Sequence, residues 1–222
     1  MKYPIAIWML AIGAFAIGMT EFVIMGLLPN IARDFDVTVS QAGQLITGYA
    51  LGVAIGGPII VMLTIKWNRK YLLLALMAIF ILGNFAASFS TSYGFMMTSR
   101  IITSLAHGSF FGIGSILAAN MVRPEKRASA MALMFMGLSL SNILGVPFGT
   151  LIGQNFGWPM TFIIISIIGT LALIGIIIFV PMQRDTVKSS MKKELQILKE
   201  KRLWLTLAVT LFGFSSVFAY FT

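Results

Sequence analysis

Residues 5–29, IAIWMLAIGAFAIGMTEFVIMGLLP, are apolar for longer than a bilayer's hydrocarbon is thick, and they hold a single carboxylate, Glu21. A helix rising 1.5 Å per residue needs about 20 apolar residues to cross that layer. The run therefore reads as a transmembrane helix. An acid at such depth costs about 2.5–3.5 kcal/mol on insertion scales, so it is expected to turn away from lipid, toward a partner or water. The remainder of the chain must supply that partner.

Composition supports the same class. Of 222 residues, 58% are hydrophobic and 10% charged, with mean hydropathy +0.93. A soluble domain carries about 25% charged residues, so this chain could not clothe its surface in polar groups. The apolar runs are continuous rather than alternating, which predicts helices and not a barrel. Cys is absent, which excludes disulfides, thiol nucleophiles and thiolate metal sites. The net charge of +9 invites a nucleic-acid reading. It loses force once the cations are placed, because they gather at helix ends, and no nucleic-acid partner is expected. The first run outlasts the roughly 7–15 apolar residues of a secretory signal, so it is expected to remain as an anchor.

Seven apolar runs are legible: Ile5–Leu28, Gln41–Ile65, Tyr71–Phe89, Phe95–Met121, Ala128–Gln154, Pro159–Val180 and Leu203–Thr222. One side of this array collects Lys2, Lys66, Arg69, Lys70, Arg123, Lys126, Arg127 and the seven cations from Arg184 to Arg202. The other has Arg33 alone, beside Asp34 and Asp36. By the positive-inside rule the N-terminus and the segment Pro181–Arg202 are cytoplasmic, in a multi-pass protein of the cell membrane. Within that segment Met191, Leu195 and Leu198 share a helical face opposite lysines, as expected for a short helix lying on the membrane surface. Three parts follow: a six-helix bundle over 1–181, a basic linker over 182–202, and a seventh transmembrane helix over 203–222. The last run ends at Tyr220-Phe221-Thr222 with no polar flank, as in a fragment or truncated product.

Polar residues inside the runs are few. They include Glu21 in the first, Gln44, Thr47 and Tyr49 in the second, Asn84 in the third, Arg100, His107 and Asn120 in the fourth, and Ser139, Ser141 and Asn142 in the fifth. The alternating directions of the helices place Glu21 and Arg100 at similar depth, with His107 about 10 Å deeper by helical rise. The expectation is that Glu21 and Arg100 face one cavity and pair, or exchange partners. A carboxylate that alternates between a cation and an apolar wall takes up and releases a proton. His107, the chain's one histidine, is the second candidate for that proton.

Glycine supplies another signal. Gly145, Gly149 and Gly153 repeat every fourth residue and make a flat helical face, which lets helices approach closely in lipid. Pro147 lies within it and is expected to bend the helix. Gly108, Gly112 and Gly114 suggest a similar face on the fourth run, and Gly48, Gly52 and Gly56 on the second. The turn Lys66-Trp67-Asn68-Arg69-Lys70 sets cations against the negative C-terminal end of the second helix.

Four of these stretches together resemble the major facilitator superfamily, in particular its twelve-helix proton-coupled drug and sugar exporters. They are Thr20-Glu21-Phe22 with Pro29, Gly57-Pro58 through Lys70, Arg100 through His107-Gly108 with Phe110-Phe111, and Gly145-Val146-Pro147-Phe148-Gly149. The last is similar to the fifth-helix antiporter motif. The loop after the second helix departs from the family pattern at Ile65, where an Asp is usual, and at Asn68, where a Gly is usual. The resemblance covers about half of a family member: six helices, a basic central loop and one helix of a second half. It implies that the first, fourth and seventh helices line a central cavity, with Tyr220 on the substrate path; Arg100, Gln44 and Asn142 are the polar residues expected beside it. It implies proton coupling at Glu21 and His107, and gating or packing at Gly145, Pro147, Gly149, Lys66, Arg69 and Lys70. Rocking of two halves would require the C-terminal half for a full cycle.

The function expected is secondary active transport: a proton inward for a small molecule (drug, sugar or nucleoside) outward, with lipid bilayer, proton and substrate as partners. A facilitator or uptake permease, and a truncated non-transporting subunit, are the alternatives. Catalysis is not expected. The chain offers no metal-ligand cluster, no nucleophile with a matching base and no phosphate-cradling loop, and no cofactor is called for.

Overall fold

The computed structural model describes residues 3–182 and 200–221, and all regular structure among them is helical. We number the helices α1 (Ile5–Asp34), α2 (Val39–Leu63), α3 (Arg69–Ser88), α4 (Tyr93–Asn120), α5 (Pro124–Phe156), α6 (Trp158–Phe179) and α7 (Lys201–Phe221). The first six are each long and apolar enough to cross a membrane. The chain is thus an all-α, multi-pass membrane protein. It forms two compact units, Met1–Arg184 and Asp185–Thr222; α7 belongs to the second. The expected surface helix through Met191, Leu195 and Leu198 falls outside the described residues.

Local chemistry explains the helix boundaries. Thr38 and Gln41 form a reciprocal capping box at the start of α2, with the Gln41 N–H donating to Thr38 Oγ1 (3.1 Å) and the Thr38 N–H to Gln41 Oε1 (2.9 Å). Asn68, the departure from the family pattern, caps α3 by accepting from the Lys70 N–H at 3.0 Å. Ser92 does the same for α4, accepting from the Phe95 N–H. Gly157, at φ 87°, makes the tight turn from α5 into α6, a conformation that side-chain-bearing residues avoid. The first helix runs six residues beyond its apolar stretch. Pro29 does not stop it, and Asp36, at φ 52°, turns the chain out of its end.

α1 is the core of the bundle. Ile7, Leu10, Ile17, Ile24, Leu27 and Ile31 are fully enclosed, and the helix packs against α2, α5 and α6. α3 packs against α4 and α6. α1 and α4 run antiparallel: Gly13 meets Phe110, and Thr20 meets Arg100. At one end of the bundle Lys126 lies over the Tyr3 ring (5.7 Å), and Lys70 Nζ donates to the Ile177 carbonyl at 2.8 Å. At the other, Trp158 Nε1 donates to Asp34 Oδ2 at 2.7 Å. The two basic turns, around Lys66–Lys70 and Arg123–Arg127, therefore share the end where α1 begins.

α2 and α5 each contain a wide π-turn, at Gly52–Gly56 and Ser141–Gly145. A proline follows each turn closely, Pro58 and Pro147. Proline has no N–H to give the preceding turn and its ring crowds a carbonyl there, so a loosened turn relieves the clash. The expected bend at Pro147 thus takes the form of a π-turn just before it. The glycine faces sort by what they touch. Gly145, Gly149 and Gly153 lie on Met19, Val23 and Leu27 of α1, and Gly48, Gly52 and Gly56 on Met97, Ser104 and Leu105 of α4. Gly108 meets Gly57 backbone to backbone, while Gly112 faces open space and is not part of a packing face.

Candidate functional site

Three helices bring ionisable side chains together inside the bundle. Glu21 Oε2 on α1 lies 3.9 Å from His107 Nε2 on α4. His107 Nδ1 lies 3.0 Å from the Tyr49 hydroxyl on α2, and the two rings meet edge to face at 5.7 Å. Phe111, one turn along α4, closes the imidazole's other side at 5.3 Å. His107 is 8% exposed in its side chain and Glu21 21%. The pair is largely sealed from solvent and lipid.

Arg100 is the neighbour of this cluster. Its residue is 1% exposed. Nη1 donates to the Thr20 carbonyl at 2.8 Å and to Thr20 Oγ1 at 3.3 Å. The Thr20 hydroxyl donates to Asn84 Oδ1, and Asn84 Nδ2 donates to the Phe80 carbonyl at 2.8 Å, so α1, α3 and α4 share one polar chain. The guanidinium lies 4.0 Å above the Tyr49 ring, a cation–π stack. Nε and Nη2, the side-on fork of the guanidinium, have no hydrogen-bond partner among the described residues.

Axial rise alone puts Glu21 level with Arg100, and the backbones agree, since Arg100 bonds Thr20. The carboxylate nevertheless reaches His107. Side chains on an α-helix lean toward their own N-terminus. On antiparallel helices Glu21 and His107 therefore lean toward each other and close the gap that Cα positions predict.

Other expected site residues lie apart from this cluster. Gln44 and Asn142 are exposed, the latter on the π-turn of α5. The side chain of Tyr220 is outside the described residues. Gly145 and Gly149 are buried against α1, while Pro147 is exposed. Lys66 is exposed, and Lys70 clips α3 to the end of α6. An apolar groove of about 180 Å³ runs between α1 and α5, lined by Trp8, Ile12, Phe15, Met136 and Leu140 among others. From the sequence, Tyr49 and Asn84 stand out as polar residues in helices and Thr20 as part of a family-like stretch, none of them assigned to the site. The available signal was one unusual polar residue on each of three consecutive helices, with nothing to say that they meet.

Comparison with known proteins places the chain as a whole. YdhP, an inner membrane transport protein of Escherichia coli (strain K12), is 43% identical over all of this chain, which spans 57% of it. YtbD, an MFS-type transporter of Bacillus subtilis (strain 168), is 45% identical over 98% of the chain, which spans 55% of it. A chloramphenicol resistance protein of Streptomyces lividans is 30% identical over 99% of the chain, which spans 57% of it. The chain thus spans about half the length of the curated relatives it matches. Among solved structures, a bacterial homologue of the human lysosomal transporter Spinster, inward-facing and unoccupied, superposes with TM-score 0.68 at 18% identity over 83% of this chain and 45% of its own. The peptide transporter POT, in complex with sulfate, gives 0.71 at 13% over 94% and 46%. Both show the fold. The model of the Major Facilitator Superfamily matches residues 10–222, and with these relatives it establishes that the chain belongs to that superfamily.

Proposed function

We propose that the protein works as a proton-coupled exporter: a proton moves inward down its gradient and a small molecule moves outward. One observation carries the reading, a half-buried carboxylate inside the bundle 3.9 Å from the chain's sole imidazole, with an arginine beside them stacked on Tyr49. Ionisable groups inside a membrane bundle are costly and persist where ions or protons pass. Glu21 is the proton acceptor, His107 the imidazole facing it at 3.9 Å, and Arg100 the counter-charge that can receive the carboxylate on its side-on fork when Glu21 leaves His107. Export is the direction favoured by the name of the S. lividans relative, a resistance protein.

The remaining assignments follow from this reading. Basic turns gathered at the end where α1 begins favour that end as the cytoplasmic one, in a protein of the cell membrane. The glycine faces of α2 and α5, with their π-turns, let the bundle flex, and Lys66, Arg69 and Lys70 hold the cytoplasmic end. The parts over 1–181, 182–202 and 203–222 are the bundle, its linker and the opening helix of a second half, which a full alternating-access cycle requires. Gln44, Asn142 and Tyr220 belong to the substrate path.

The test is proton flux in proteoliposomes containing the full-length transporter, challenged with a panel of drugs, sugars and nucleosides. A substrate that drives proton movement in the wild type and fails to do so in Glu21→Gln supports the reading. Substrate counterflow indifferent to both the pH gradient and Glu21→Gln refutes it.

A further inference from the structure

The Glu21–His107 contact is made by one edge of the imidazole, and the opposite edge is held by a residue the proposed function leaves unused. We infer that Tyr49 is the positioning residue of the pair: its hydroxyl donates to His107 Nδ1 and holds the ring as the Nε2–H tautomer, with that N–H turned to Glu21. This rests on Glu21 and His107 handling the proton, as proposed above.

The argument is one of donor and acceptor inventory. Glu21 Oε2 faces His107 Nε2 at 3.9 Å, and an ionised carboxylate attracts the N–H end of the ring rather than its lone pair, so that nitrogen carries the hydrogen. In a neutral imidazole the other nitrogen is then bare and requires a donor. Tyr49 Oη lies 3.0 Å from it, and a phenol hydroxyl can donate. The charged and titratable groups against this ring are Glu21 from α1, Tyr49 from α2 and Arg100 from α4. Of these the tyrosine is the one within hydrogen-bond distance of Nδ1, while Arg100 turns Nη1 to Thr20.

Tyr49 can do this because it is itself fixed. It is 2% exposed, with the Arg100 guanidinium 4.0 Å over its ring. The glycines around it hold α2 close to α4: a Cβ on Gly48 would meet Met97 Sδ, and one on Gly52 would meet Ser104 Oγ. The phenol therefore has little freedom to leave His107, and the orientation of the ring on α4 is set from α2. The same logic orients metal-bound histidines, where the partner of the second nitrogen fixes the tautomer.

The test uses the fact that His107 is the chain's one histidine. The chain, labelled with ring-¹⁵N histidine and reconstituted in phosphatidylcholine/phosphatidylglycerol nanodiscs, gives one pair of ring resonances. A protonated Nε2 and a bare, hydrogen-bonded Nδ1 in a single tautomer are expected. Tyr49→Phe keeps the ring beneath Arg100 and removes the hydroxyl. The Nδ1 resonance should then move to its free lone-pair position and a second tautomer should appear. A second measurement spares the fold altogether: replacing all tyrosines by 3-fluorotyrosine strengthens the phenol as a donor and should move the Nδ1 resonance further in the hydrogen-bonded direction. A protonated Nδ1 in the wild type, or ring resonances indifferent to both changes, overturns the inference. The result is separable from the transport reading. Expected spectra with proton flux intact in Glu21→Gln would remove the role in transport. Unchanged spectra with flux lost in Glu21→Gln would remove Tyr49 alone.

Discussion

Gly137 is where the bundle tolerates least. A Cβ built there would sit 2.0 Å from the Ala11 carbonyl oxygen, 2.9 Å from its carbon and 3.0 Å from the Phe15 nitrogen. All three are backbone atoms of α1, the most enclosed helix, so no side-chain rotation can make room. Gly137→Ala must drive α1 and α5 apart by about 1 Å or more. Overpacking usually costs about 1–3 kcal/mol, and an obstacle made of helix backbone puts this case at ~3 kcal/mol. That is a loss of about 100-fold in the folding equilibrium. The control is Gly112→Ala, where nothing lies within 4 Å. There the added methyl removes glycine's helix penalty of up to about 1 kcal/mol and displaces nothing. The assay is unfolding in mixed micelles as the SDS fraction rises, followed by far-ultraviolet circular dichroism and tryptophan fluorescence. Gly137→Ala should unfold well before the wild type, and Gly112→Ala with it or after. If both variants share the wild-type midpoint, the close approach of α1 and α5 is refuted. If Gly112→Ala is the more damaged, the assignment of glycine faces fails.

The other expectations concern single contacts. Gly157→Ala forces a Cβ into φ 87° and should cost about 1–2 kcal/mol in the same unfolding assay, despite the open surroundings of that turn. Asn68→Ala removes the α3 cap and should cost about 1 kcal/mol, with faster amide exchange confined to the first turn of that helix as the signature. Arg100→Lys keeps the charge but gives up the planar stack on Tyr49. Proton flux in the full-length transporter should fall by roughly tenfold or more, an effect of about 1.4 kcal/mol, and wild-type flux would contradict a role for the guanidinium plane.

Much of the fold was legible because lipid leaves few choices. Seven apolar runs became seven helices, with ends shifted by about two residues except where capping or charge intervened. α1 continues to Asp34 because Pro29 does not interrupt it, and an apolar ruler stops at the proline. The π-turns could not be read from periodicity, since α2 and α5 are apolar around much of their circumference; the nearby prolines were the one clue. At the site, cost alone singled out Glu21, Arg100 and His107. Their pairing was not legible, because helical rise counts backbone positions and ignores the opposite lean of side chains on antiparallel helices. Tyr49 stood out as polar, but its role was hidden for a different reason. A lone aromatic with a hydroxyl is unremarkable in a membrane helix until the ring it touches is known.

The wide turn at Gly52–Gly56 has a consequence for angular register. A π-turn holds one residue more than an α-turn can, so the two lengths of α2 around it keep their azimuths only while the turn stays open. Were it to wind down to α-helix with no residue lost, the length bearing Tyr49 would rotate by about 100° relative to Gly57–Leu63 and shift by about 1.5 Å. The phenol would then point off His107 altogether. Deleting one residue inside the turn removes the surplus instead, leaving both faces where they are with nothing left to unwind. The five-residue turn Gly52–Gly56, with a glycine at each end, thus stores a little over a quarter-turn that the Tyr49–His107 contact can report.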